Sequence, residues 1–171
     1  MKRVYFGIDN GVTGTIGVLI SDNGELASSE FFPIPTFKQQ SYTKKKQSIS
    51  RIDFQKLIEL LSPFLAKAQS AIAVIERPYV NPTGIKATLS AIRALEAVLT
   101  ALEYLAIPYE YTDSKAWQKA LLPSGLKGPA ELKAASADIG SRLFPQHAAS
   151  IAKHKDADGL LIAEWARRNK K

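Results

Sequence analysis

The chain has 171 residues, 46% of them hydrophobic and none of them cysteine. That length fits one domain with a real core, the lack of cysteine excludes disulfides and thiolate metal sites, and no apolar run is long enough to span a bilayer. A formal net charge of +7 and an isoelectric point near 9.6 suit an acidic partner, nucleic acid first.

From the amino terminus, Val4 to Ile8 is an apolar strand leading to Asp9, with Val4, Phe6 and Ile8 on one face and Tyr5, Gly7 and Asp9 on the other. Met1-Lys2-Arg3 runs straight into it, so no signal peptide is expected and a reducing cytoplasm is compatible. Asn10-Gly11 predicts a tight hairpin, because both residues tolerate the positive φ of a primed turn, and the chain to Leu19 returns as a second strand. Asp9 at the mouth of that hairpin is either a cation ligand or a turn-starting acid. Glu25 to Phe32 reads as a third strand, stopped by Pro33 and Pro35. From Thr36 to Ser50 the composition shifts to Lys38, Lys44, Lys45 and Lys46 among Gln, Ser, Thr and Tyr42. This predicts a mobile loop at about 36–50, either a solvated surface segment or a basic arm that orders on phosphates.

Arg51 to Lys67 is predicted as an amphipathic helix with Phe54, Leu57, Ile58, Leu61 and Leu65 on one face, capped by Ser50 or Asp53. Ala71 to Ile75 is an unbroken apolar run, as in a parallel strand buried on both faces, and it ends in Glu76. A turn-rich loop containing Tyr79 follows, then an Ala- and Leu-rich helix over about 85–105 that suits core burial or a subunit interface. Ile107 to Tyr111 is a fifth strand, Asp113 or Ser114 starts a helix around Trp117, and Pro129 opens another helix running to about Leu143. Asp156 and Asp158 precede a final apolar helix in which Asp158 shares a stripe with Leu161, Ile162 and Trp165. Those three must face the core, so Asp158 points inward, where an acid needs a partner.

Carboxylates thus end the first and fourth strands and begin the last helix. A right-handed crossover permits those strands to be adjacent and parallel, which puts Asp9 beside Glu76. Acids gathered without a Lys or Arg between them repel, and hard divalent cations such as Mg²⁺ or Mn²⁺ relieve the repulsion at a sulfur-free site. Two such ions can clamp the attacking water and the leaving oxygen of a phosphodiester.

Gly7-Ile8-Asp9-Asn10-Gly11-Val12-Thr13-Gly14, Val74-Ile75-Glu76-Arg77-Pro78 and the stretch from His154 to Ala163 resemble the three acidic motifs of RuvC-type Holliday-junction resolvases, in particular their shorter phage-like branch. The resemblance spans nearly the whole chain, in the right order and spacing. It implies a single α/β domain of RNase H-like fold over residues 1–171, a mixed five-stranded sheet of three antiparallel and then two parallel strands with helices on both faces. It also implies a homodimer that nicks four-way DNA junctions symmetrically with Mg²⁺, for which Mn²⁺ substitutes, at two ions per site. The setting implied is the cytoplasm of a bacterial or phage-infected cell, with no membrane and no nucleotide cofactor.

Residue by residue, the resemblance assigns catalysis and metal binding to Asp9, Glu76 and Asp158. The fourth acid of the bacterial pattern falls where this chain has Lys155, so Asp156 or His154 takes the role, Asp156 ranking first because a carboxylate neutralises more metal charge. Tyr79 matches an aromatic that stacks on bases at the junction centre, or is a packed loop tyrosine. Lys115, Lys119 and Lys127 resemble lysines that hold phosphates, or are solvated charges, and Lys44, Lys45 and Lys46 are the basic arm's candidates for DNA contact. Rival readings are another RNase H-like nuclease acting on flaps or RNA–DNA hybrids, a silent junction binder, and a sugar-kinase-type phosphotransferase, for whose second phosphate loop there is no room.

Overall fold

The alternation of β1 (Lys2–Ile8) places it between two apolar layers, and the computed structural model, which describes residues 1–41, 44, 46–80 and 82–170, puts it at the centre of a sheet. β1 pairs antiparallel with β2 (Thr15–Asp22), and β2 with β3 (Glu25–Pro33). On its other side β1 pairs parallel with β6 (Ser70–Glu76), and β6 with β7 (Tyr109–Thr112), giving the order β3-β2-β1-β6-β7. This is the expected mixed five-stranded sheet with helices on both faces.

One face carries Val4, Phe6, Ile8, Ile16, Val18, Ala73 and Ile75. It is covered by α1 (Phe54–Leu65), through Leu57, Leu61 and Phe64, and by α2 (Ile85–Tyr104), through Ala94, Val98, Ala101 and Leu102. The other face, with Tyr5, Leu19, Ile72 and Val74, lies under α6 (Asp158–Asn169), α3 (Ser114–Leu121), α4 (Gly128–Leu143) and α5 (Ala148–His154). No helix among the described residues is long and apolar enough to cross a membrane.

Four local expectations change. The segment expected to be a mobile loop at 36–50 contains most of an antiparallel hairpin, β4 (Thr36–Gln40) with β5 (Ser48–Ile52), because alternate Thr, Phe, Ile and Arg side chains suit strand pairing even though almost nothing is buried. The hairpin takes the residues assigned to the start of α1, which begins at Phe54 with the Asp53 carboxylate accepting the Lys56 N–H at 3.2 Å. Asn10-Gly11 is not a two-residue primed turn: Asn10 keeps a negative φ, and residues 9–14 form a wider loop closed by the Asp9 N–H to the Thr15 carbonyl at 3.0 Å. Finally, Pro145 is followed by a 3-10 turn and the short α5, which the sequence pattern did not reveal.

α6 packs closer to the sheet than side chains allow. Gly7 and Gly17 are cross-strand partners, and a Cβ on Gly7 would stand 2.2 Å from the Ala163 nitrogen and 2.3 Å from the Gly159 carbonyl oxygen. A Cβ on Gly17 would stand 2.4 Å from the Leu160 Cα, and one on Gly159 would meet the Thr15 and Gly17 backbone at 2.7 Å. At its middle α6 buries Glu164, whose carboxylate accepts from Arg167 at 2.8 and 2.9 Å and from Arg168 at 2.7 Å. Gly7→Ala must push α6 off the sheet; a loss of about 1–3 kcal/mol in urea unfolding is expected, and an unchanged midpoint would refute the close-contact account.

Candidate metal centre

The sheet register and the seating of α6 determine which acids meet. Ile8 and Ile75 are the last paired residues of β1 and β6, so Asp9 and Glu76 leave adjacent parallel strands side by side, on the face covered by α6. From the other direction, α5 is capped by Lys155, whose left-handed backbone (φ 62°) reverses the chain before the buried Asp156. Asp156 is only 2% exposed, and Asp158 opens α6. One carboxylate oxygen from each of Asp9, Asp156 and Asp158 lies within 4.8 Å of the others.

Neighbouring donors fix this arrangement. The Thr15 hydroxyl donates to Asp156 Oδ1 at 3.3 Å and accepts the Gly159 N–H at 3.1 Å, tying β2 to the start of α6. The Asp158 N–H also points at Asp156 Oδ1, at 3.4 Å. Ser136 of α4 donates to Asp158 Oδ1 and accepts the Ala157 N–H at 3.1 Å. Glu76 Oε2 accepts the indole N–H of Trp117 at 2.6 Å. Lys133 of α4 reaches Asp156 Oδ2 with its ammonium at 3.0 Å.

Burial pushes the Asp9 carboxyl up to about 8, and the charges of Asp158, Glu76 and Asp156 add to the rise against the opposing pull of Lys133. Glu76 is raised, first by burial, with the Trp117 hydrogen bond opposing and the Asp158 charge assisting. Asp158 is likewise raised by burial, against its Ser136 hydrogen bond, and by Asp156. Lys133 is held above the ordinary lysine range: burial opposes its charge, but the hydrogen bond and charge of Asp156 outweigh that cost.

The donors are all oxygen, Asp9, Glu76 and Asp158 are raised first by burial and then by neighbouring negative charge, and Asp9, Asp156 and Asp158 converge. That chemistry fits a hard divalent cation. Asp9, Asp156 and Asp158 would hold it, with Glu76 at the edge of the group.

The expected acids therefore lie at one end of the sheet, although Glu76 falls outside the tight group of three. His154 does not join them: its ring packs edge-on against Phe31 at 5.8 Å. Tyr79 is 82% exposed in the loop after Glu76. Lys115 and Lys119 line a hollow of about 360 Å³ bounded by Pro123, Leu126 and Leu132, while Lys127 is exposed just before α4, its N–H donating to Glu131 at 2.6 Å. Lys44 and Lys46 are exposed between the hairpin strands, and Lys45 lies outside the described residues. The expectation of acids with no basic residue among them is corrected by Lys133. The signals for it and for Trp117 were faint: Lys133 stands three positions before Ser136 on one face of α4, and Trp117 is the one aromatic of the short α3.

No protein-family model matches the chain, and no curated protein matches it in sequence. Among solved structures, the chain is similar to T. thermophilus RuvC in complex with Holliday junction substrate, with a TM-score of 0.55 and 17% identity over 98% of this chain and 96% of that one. A second Thermus thermophilus RuvC structure superposes with a TM-score of 0.51 and 18% identity, covering 96% and 95% of the two chains. The fold is RuvC-like.

Three acids that ionise less readily when folded give a definite pH dependence. Their folded values lie above the unfolded ones, so the stability they contribute is complete below the ordinary aspartate value of 3.8 and is lost as pH rises, for Asp9 through about 8. In EDTA the melting temperature is expected to fall across about pH 5 to 9, and the rise produced by Mg²⁺ to grow over the same span. Asp9→Asn should flatten both trends; a Mg²⁺ effect independent of pH and of Asp9 would exclude this cluster as the binding site.

Proposed function

We propose that the chain is a divalent-metal-dependent, structure-selective endonuclease of the RuvC type, in its phage-like branch, that resolves four-way DNA junctions by paired symmetric nicks in recombination and repair. The observation that carries the reading is the convergence of Asp9, Asp156 and Asp158, with Glu76 beside them, at one end of a RuvC-like sheet. The basic charge of the chain is consistent with a DNA substrate.

Asp9, Asp156 and Asp158 would hold the metal, and Glu76, aimed by the Trp117 indole, would serve a second ion. Bound Mg²⁺ or Mn²⁺ supplies charge neutralisation and a nucleophilic water for phosphodiester hydrolysis. Thr15 and Ser136 keep Asp156 and Asp158 from rotating away. Lys133, half-exposed at the rim, moves its charge to a phosphate oxygen once Asp156 is engaged. Lys115, Lys119 and Lys127 bind neighbouring phosphates and Tyr79 stacks on an unpaired base. The products carry 5′-phosphate and 3′-hydroxyl ends.

Paired cuts need two sites. Ile85, Leu89 and Ile92 are 67, 47 and 38% exposed on one stripe of α2, an unusual display of large apolar side chains, and we assign them to the contact between two copies. The working compartment is the cytoplasm of a bacterial or phage-infected cell, and no nucleotide cofactor enters.

The protein incubated with a synthetic four-way junction and Mg²⁺ is expected to nick opposite strands symmetrically, leaving linear duplex intact. EDTA and Asp9→Asn should each remove cleavage, by a factor of about 10³ or more, without abolishing junction binding. Cleavage of flaps or RNA–DNA hybrids in preference to the junction would reassign the substrate, and junction binding without cuts under any divalent metal would make the chain a silent binder. Leu89→Lys should convert the dimer to a monomer by light scattering and uncouple the two nicks; an unchanged mass would remove α2 from the interface.

A further inference from the structure

On the face of the sheet opposite α6, the β4–β5 hairpin stands against the first half of α2 and leaves a trough of about 630 Å³. Lys44 of the arm and Lys86 and Arg93 of α2 line it, with Gln47, Ser50 and Ser90 between them. No carboxylate is among the lining residues. Lys86, Ser90 and Arg93 recur at helical spacing, so they form one stripe along α2 that is aimed at the arm, bordering the apolar stripe assigned to the subunit contact, whose Leu89 also lines the trough.

Three cations around a trough with no acid, whose lining is apolar at Val12, Ile49 and Leu89, create a standing demand for anionic charge. The arm's own side chains are also set in place: Arg51 donates to Gln39 at 2.8 Å, and its guanidinium lies over the Phe37 ring at 5.9 Å. Arg93 is shared with the adjoining hollow of about 890 Å³, but Glu96 and Asp53 stand on that wall, so the acid-free path for an anion is the trough.

The trough is joined to the metal centre by the loop that carries Asp9. Val12 closes one side of it, and the Asn10 side-chain amide donates to the Ala91 carbonyl of α2 at 3.3 Å. We infer that this trough is a second DNA-binding site, which takes the phosphate backbone of a junction arm away from the point of cleavage. Lysine, arginine and hydroxyl donors to phosphate position a duplex without reading its sequence. The site thus fixes how an arm leaves the metal centre and so favours branched over linear DNA. The inference rests on the junction-nuclease reading.

The test is fluorescence anisotropy of the full-length protein with a labelled four-way junction in EDTA, across about 0.05 to 0.2 M salt. Lys86→Ala and Arg93→Gln are each expected to weaken binding about five- to tenfold at 0.1 M salt and to lower the salt slope by about one. Lys86→Arg should restore both, with molar mass unchanged. Lys86 is exposed, so its variants carry the test even if Arg93→Gln disturbs packing. Unchanged affinity and slope, in a wild-type background that binds and cuts junctions, would overturn the trough and leave the nuclease standing. A fall to monomer mass in Lys86→Ala would overturn it in favour of a contact between copies. A wild-type protein that fails to bind the junction would remove the parent reading and this one together.

Discussion

The contact on which the site depends is backbone against backbone. With glycine at 7 and 17 in paired strands and at 159 in the helix, α6 can lie on the sheet with no side-chain layer between. Only at that separation can Thr15 bridge Gly159 and Asp156, and only then do the acids on both sides of α6's first residues come within reach of Asp9. A separation wide enough for Cβ atoms would pull the carboxylates apart. The glycines are therefore part of the metal centre without touching it.

The same helix handles buried acids in two ways. At its middle Glu164 is answered by two arginines of the last turn, which lower its affinity for a proton. At its amino end Asp9, Glu76 and Asp158 are all raised, and Lys133, anchored on Asp156 and half in water, offsets only part of the charge. A sequence able to neutralise one buried carboxylate so completely leaves the other group short of positive charge. That shortfall favours a cation from solution over an internal partner, at the expense of the metal-free fold.

Much of this was legible in the chain. The alternation in β1, the unbroken apolar run of β6 and the stripe shared by Asp158, Leu161 and Ile162 are properties of single elements, and each carried an acid to a determinate place. The hairpin was not legible: its strands bury little, so burial left no period in the sequence, and lysine content masked the pairing pattern. The wide loop after Asp9 was misread because Asn-Gly is a local turn signal, while here the Gly14 carbonyl accepts the Ile34 N–H and Asn10 reaches α2, contacts made by distant parts of the chain. Lys133 and Trp117 escaped for a similar reason. Nothing in α4 or α3 announces that one residue will be turned toward acids from other elements.

Asn10 has one more implication. Its amide fastens the Asp9 loop to the middle of α2, whereas Asp156 and Asp158 are fastened to α4 and α6. The first group belongs to the hydrophobic core on one face of the sheet, and the second to the core on the other. The loop that aims Asp9 is therefore held by one packed half and its partner acids by the other, and a metal ion bound by all three would rivet the two together. Any loosening of one half against the other would register first as a change in spacing between Asp9 and its partners, before either core had opened to water.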